Sequence, residues 1–134
     1  MKSISFITVL FLLCLTAGAS GSDRKTSTVA DQLAREIEAK IANRVTALVK
    51  ASANDCQLHI EFSAHHVSFD LPLQGTEVAA DSMEDSIIVI NRRMTRTFSD
   101  RGAEAFEKLL LRFNRHEIND IKSTFDQAIK ACGA

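Results

Sequence analysis

The sequence contains no tryptophan, no tyrosine and a single proline among its 134 residues. The missing tryptophan argues against sugar binding on indole platforms, and the single proline argues against recognition as a PxxP segment. Only five glycines are present, which leaves little material for a phosphate-cradling loop. The net charge of −1 argues against a general basic nucleic-acid binder, so we expect no nucleic-acid partner.

The start of the chain has the composition of a secretory signal peptide. Lys2 precedes a short apolar run over residues 4–15, and small residues follow at Ala17 and Ala19. The run is shorter than the roughly 20 residues that a membrane-spanning helix needs. We therefore expect a signal peptide at 1–19, a flexible lead-in at 20–27 and a single α+β domain at 28–134. Such a protein is secreted or periplasmic and has no membrane span after cleavage.

Two cysteines remain after this cleavage, Cys56 and Cys132. An even number of cysteines in an exported protein favours a disulfide. Alternation around Cys56 and helical spacing before Cys132 direct both side chains toward the core. We predict a Cys56–Cys132 bridge, which stabilises the fold by about 4 kcal/mol in the chain-entropy model. Two buried, unpaired thiols are the alternative.

The spacing of apolar residues predicts an α+β fold with the order αββαα. Steps of three and four predict a long N-terminal helix from residue 28 to about residue 52. Alternation over 56–62 and 67–71 predicts an antiparallel hairpin. If Phe62 lies opposite Val67, every apolar residue of the hairpin falls on one face, and His59 lies opposite Asp70 on the other.

The second half of the chain is predicted to be helical, although the pattern of its first part is compatible with either a helix or a strand. An acidic start and a basic end favour a helix over residues 82–98, whereas its β-branched residues favour a strand. We choose a helix, and we expect a further helix from about residue 100 to Cys132. A third strand in place of the middle helix gives the alternative order αβββα.

A lone hairpin is marginal in water, so it must pack on the helices or form a homodimer through its edges.

Charge is segregated along the chain. Residues 51–91 contain seven acidic residues, three of the four histidines and no lysine or arginine, whereas residues 92–115 contain seven basic and three acidic residues. This pattern predicts a surface that meets a charged partner, unless the two halves neutralise each other. The candidate surface patch comprises His59, Glu61, Asp70, Arg92, Arg93 and Arg96.

Two further groups of polar residues are candidate sites. His59, Glu61 and Asp70 share the polar face of the hairpin and offer the nitrogen and oxygen ligands that zinc accepts, but no dense ligand motif accompanies them. We therefore expect no metal and no other cofactor. Asn114 and Glu117 interrupt the apolar face of the predicted last helix and form a candidate polar site, because a buried carboxylate needs a partner.

No nucleophile motif is evident, and the exclusions above favour binding over catalysis. We expect a small exported protein that binds another macromolecule as an inhibitor, effector or accessory protein. Its partner is another protein or a second copy of itself. One alternative is a carrier of a small apolar ligand held between the helices and the hairpin. Another is a small metal-dependent enzyme that uses the polar face of the hairpin.

Thiol titration tests the predicted bridge. The mature protein, unreduced, is expected to contain no titratable cysteine, and reduction in denaturant is expected to release two thiols. Two titratable thiols before reduction would contradict the bridge.

Overall fold

The computed structural model describes residues 29–81 and 83–133. A helix, α1, covers residues 29–40, eight strands follow, and α2 (Ile118–Ala131) ends the described chain. The predicted signal peptide and lead-in lie outside the described residues. Within them, no helix is long and apolar enough to cross a membrane. The strands are β1 (Val49–Asn54), β2 (Gln57–Phe62), β3 (Val67–Pro72), β4 (Glu77–Asp81), β5 (Ser86–Ile90), β6 (Thr95–Phe98), β7 (Gly102–Ala105) and β8 (Lys108–Arg112).

The strands form two antiparallel sheets that are parts of one bent meander. The larger sheet has the order β1-β2-β3-β6-β7, and the smaller has the order β4-β5-β8. The chain passes between the sheets at β3–β4, β5–β6 and β7–β8. Pairing continues across the bend, since the Asn91 N–H donates to the Glu107 carbonyl and the Phe106 N–H donates to the Met94 carbonyl.

A buried asparagine holds this bend together. The Asn91 side-chain amide donates to the Pro72 carbonyl at 2.9 Å and to the Thr76 hydroxyl at 2.8 Å. Its Oδ1 accepts the backbone N–H of Arg93 at 2.8 Å. The amide is thus bonded through both its nitrogen and its oxygen, as burial demands, and it joins the β3–β4 corner to the β5–β6 corner.

The predicted hairpin is confirmed in its register. Phe62 pairs with Val67, and the same ladder places His59 opposite Asp70. Both outer edges of the hairpin are occupied, because β1 pairs with β2 and β6 pairs with β3. A homodimer through the hairpin edges would therefore have to displace strands of the sheet.

The predicted αββαα order is wrong, as is the αβββα alternative. Residues 49–54 form a strand instead of continuing the first helix. Steps of three and four place Val45 and Leu48 on the apolar stripe of the predicted helix, but both are exposed. The alternation of Val49, Ala51 and Ala53 decides the structure here, because these three residues pair with the buried face of β2.

The prediction of two later helices is also wrong over most of its length, and of the described residues in that part of the chain only Ile118–Ala131 form an α-helix. Residues 86–98 form β5 and β6, and the chain from residue 102 to 112 forms β7 and β8. The β-branched residues of β5 therefore outweigh the charge pattern that favoured a helix. Gly102, with a φ of 83°, follows a turn in which the Arg101 N–H donates to the Phe98 carbonyl. This is the three-residue hairpin loop that a glycine at this position permits.

Both helices and both sheets contribute to one hydrophobic core. Leu33 and Ile37 from α1, Ile60 from β2, Leu111 from β8 and Phe125 from α2 are almost fully buried in it. The structure also places the sulfurs of Cys56 and Cys132 2.10 Å apart, with their Cα atoms 5.8 Å apart. The predicted cysteine pair is thus at bonding distance, and it joins the β1–β2 turn to the end of α2.

Replacement of the corner amide tests its role. Asn91→Ala is expected to lower the free energy of unfolding by about 2–4 kcal/mol, because it leaves buried polar groups without partners and opens a cavity. Urea unfolding followed by circular dichroism measures the change. Asn119→Ala, at an exposed position of α2, is the matched control and is expected to change stability by less than about 0.5 kcal/mol. Equal effects of the two substitutions would contradict the role of Asn91.

Candidate functional site

The larger sheet presents a polar face to the outside. Directly opposed residues of antiparallel strands share a face, so the face away from the core follows from the strand register. It shows no large apolar side chain and is therefore a hydrated surface. Its residues are Lys50, Ser52, Asn54, Gln57, His59, Glu61, Ser68, Asp70, Thr95, Thr97, Ala103 and Ala105.

His59 and Asp70 form the one close pair of this face that the sequence predicts. The His59 Nδ1 lies 2.8 Å from Asp70 Oδ1, and both side chains are more than a third exposed. Ser52 lies opposite His59 in the register, which completes a row of serine, histidine and aspartate. Among the hydrogen bonds of the described residues, none joins Ser52 to His59. The row therefore lacks the contact between nucleophile and base that acyl transfer requires.

Glu61 takes a different partner. Its carboxylate accepts a hydrogen bond from the Ser63 hydroxyl at 2.7 Å. In the part of the chain that the structure describes, no group of three histidine, cysteine or acidic side chains is arranged to hold a metal ion. The structure thus brings together two of the three residues considered as metal ligands, His59 and Asp70.

The arginines of the candidate surface patch do not join this pair. Arg96 lies opposite Phe69, on the core side of the sheet, where its guanidinium stacks over Phe106 at 4.3 Å and donates to Glu104. Arg92 lies 3.9 Å from Glu107, and Arg93 donates to a backbone carbonyl at the bend. The six residues are therefore distributed over both faces of the sheet and its corner.

Part of the charge segregation is neutralised within the fold. Asp85 pairs with Arg115 at 3.1 Å, and Glu84 pairs with Arg112 at 3.9 Å. These pairs connect the acidic stretch to the basic stretch, as the internal alternative requires. Because they are exposed, each contributes little to stability.

Asn114 precedes and Glu117 ends a short 3₁₀ turn, Arg115–Glu117, that leads into α2. Asn114 is exposed and Glu117 is half-buried. The Glu117 N–H donates to the Asn114 carbonyl at 2.9 Å, so the two residues shape the turn through their backbones. Asn114 lies before the 3₁₀ turn and not in a helix, so it does not interrupt an apolar helix face as predicted.

The smaller sheet presents an apolar surface that the sequence prediction missed. On its face away from the core, the register aligns Ala79, Ile88 and Leu110 across the three strands, with Ile90 beside them. Leu110 is 41% exposed and Ile90 is 39% exposed. We call Ala79, Ile88, Ile90 and Leu110 the outer apolar patch.

Charges of opposite sign border the outer apolar patch on opposite strands. Glu77 and Asp81 project from β4 on the same face, and Lys108 and Arg112 project from β8. Neither Glu77 nor Lys108 forms an ion pair with another described residue. An exposed apolar centre with a charged rim is the usual anatomy of a protein interface.

Comparison of the chain with protein-family models, with curated proteins and with solved structures finds no match. Among the surfaces described above, the outer apolar patch is the one whose composition fits binding to another protein.

Substitution of Arg96 tests the cluster on the core side. Arg96→Met is expected to lower the free energy of unfolding by about 1–2 kcal/mol, since it removes both the aromatic stacking and the bond to Glu104. Arg92→Met, at a fully exposed position, is the control and is expected to change stability by less than about 0.5 kcal/mol. Thermal and urea unfolding measure both variants, and an Arg96→Met protein as stable as the control would contradict the assignment.

Proposed function

We propose that the protein is an exported binding protein, and that its outer apolar patch is the surface that contacts a protein partner. The observation that carries the proposal is the group of exposed and half-buried apolar side chains on the outer face of the three-stranded sheet. Removing such area from water contributes about 25 cal/mol per Å². A contiguous apolar patch on the surface of a small protein is typical of an interaction site.

The packing of the interior supports surface binding over the carrier alternative. Leu33, Ile37 and Phe125 are completely buried among their neighbours, so helix side chains occupy the space where a ligand would lie. A surface depression of about 470 Å³ lies beside Phe98 and Arg101, and another of about 290 Å³ lies beside Glu61 and Thr97; polar residues make up most of the lining of both. An apolar ligand would gain little free energy there.

The cysteine pair supports the exported location. A disulfide persists in oxidising compartments such as the periplasm or the extracellular space. Cys56 and Cys132 lie at bonding distance and far apart in sequence, which is the arrangement of a structural bridge. The enzyme alternative has weaker support, because among the residues that the structure describes no third ligand and no hydrogen-bonded nucleophile joins the exposed pair of His59 and Asp70.

A comparative capture experiment tests the proposed function. The purified protein is immobilised and exposed to the secreted or periplasmic fraction of its source, at low and at high salt. Leu110→Glu is expected to reduce the captured partner at least tenfold, because a charge within the patch must be desolvated on binding. Val45→Glu, at an exposed apolar position outside the patch, is the matched control and is expected to retain the partner.

The dependence of capture on salt distinguishes the apolar contribution of the patch from the electrostatic contribution of the charged residues around it. Apolar burial persists at high salt, whereas attraction between exposed charges is screened. We therefore expect capture to weaken at high salt without disappearing. Equal capture by Leu110→Glu and the unsubstituted protein would overturn the assignment of the patch.

A further inference from the structure

We propose that the partner seated on the outer apolar patch is a second copy of this chain, packed face to face about a two-fold axis parallel to the strands. This inference rests on the proposed function, because it names the partner of the same surface. It follows from the order in which charges and apolar side chains lie across the smaller sheet.

The register arranges the outer face of the smaller sheet in three rows that run across the strands. The first row is Glu77, Ile90 and Lys108, the second is Ala79, Ile88 and Leu110, and the third is Asp81, Ser86 and Arg112. The third row is the least accessible, because Ser86 is fully buried and Arg112 pairs with Glu84 of its own chain. Every row thus begins on β4, crosses β5 and ends on β8. In the first and third rows, the β4 residue is acidic and the β8 residue is basic.

A two-fold axis parallel to the strands keeps each row in place and exchanges the two outer strands. Glu77 then faces Lys108 of the second copy, and neither residue has an ion-pair partner among the described residues of its own chain. Asp81 faces Arg112 of the second copy, which already pairs with Glu84 of its own chain. In the middle row, the small Ala79 faces the large Leu110 of the second copy, while the central Ile88 side chains meet at the axis. Charge and size are therefore complementary in the same arrangement.

The other face-to-face arrangement is unfavourable. A two-fold axis perpendicular to the strands places β4 on β4 and β8 on β8. Glu77 then faces Asp81 of the second copy, and Lys108 faces Arg112 of the second copy. Like charges opposite each other are repulsive, so the charge pattern selects the axis parallel to the strands. Both axes keep the strands of the two sheets nearly collinear, as in the common packing of two sheets, so strand alignment does not distinguish the two arrangements.

The size of the face sets the strength of the dimer. Three strands of this length cover about 16 Å by about 14 Å, roughly 220 Å² per copy, which is well below the roughly 800 Å² per partner of a standard specific interface. We therefore expect a dimer that dissociates on dilution rather than a permanent one.

A charge exchange between Glu77 and Lys108 tests the arrangement. Sedimentation velocity over a range of concentrations is expected to show a monomer–dimer equilibrium for the unsubstituted protein. Glu77→Lys and Lys108→Glu are each expected to weaken self-association at least tenfold, because each places like charges together twice per dimer. An equimolar mixture of the two variants is expected to restore the dimer, since every contact then joins opposite charges.

A matched control and the capture experiment distinguish failure of the dimer inference from failure of the proposed function. Lys50→Glu reverses a charge on the outer face of the larger sheet and is expected to leave self-association unchanged. A monomer at every concentration, or a mixture that fails to restore the dimer, overturns the inference. If Leu110→Glu still abolishes capture of a different protein, the proposed function stands and only the choice of partner is wrong. If capture is also unchanged, both are wrong.

Discussion

The bend of the meander depends on one buried amide, that of Asn91. Its side-chain hydrogen bonds join the β3–β4 corner to the β5–β6 corner. The backbone N–H of the same residue donates to the Glu107 carbonyl at the β7–β8 corner, so all three corners lie side by side at the bend. The bend divides a single meander into two sheets whose outer faces differ. The larger sheet shows a polar face around His59 and Asp70, whereas the smaller sheet shows the outer apolar patch.

The sequence predicts the parts of the fold that carry one clear period. The hairpin of β2 and β3 alternates strictly and has a short connection, so its register could be predicted residue by residue. The cysteine pair was predictable because both flanking patterns direct the sulfurs to the core. β5 and β8 carry unbroken apolar runs, such as Leu109 to Leu111, and such runs fit a helix as well as a strand. Charged residues at suitable spacing then favoured the helix.

The unbroken apolar runs and the candidate site have the same physical cause. A strand with apolar residues on both faces has no alternating pattern, and one of its faces stays apolar when only the other packs on the core. In β5, Ile87 and Val89 face the core while Ile88 and Ile90 face outward. The patch was therefore missed for the reason that makes it a candidate for binding. The predicted surface patch failed to assemble because Arg92 and Arg93 lie at the corner between β5 and β6 and Arg96 lies on the core side of β6, not on a helix beside the hairpin.

Charged residues at the border of an exposed apolar sheet have two physical interpretations. As protection against aggregation, charges of one sign on both border strands are sufficient, because copies of the chain then repel each other in every orientation. Here the border strands carry opposite signs, with Glu77 and Asp81 on β4 and Lys108 and Arg112 on β8. Opposite signs repel a second copy in one orientation and attract it in the other. The border charges thus favour one orientation of the second copy. The small Ala79 opposite the large Leu110 of the second copy favours the same orientation through packing.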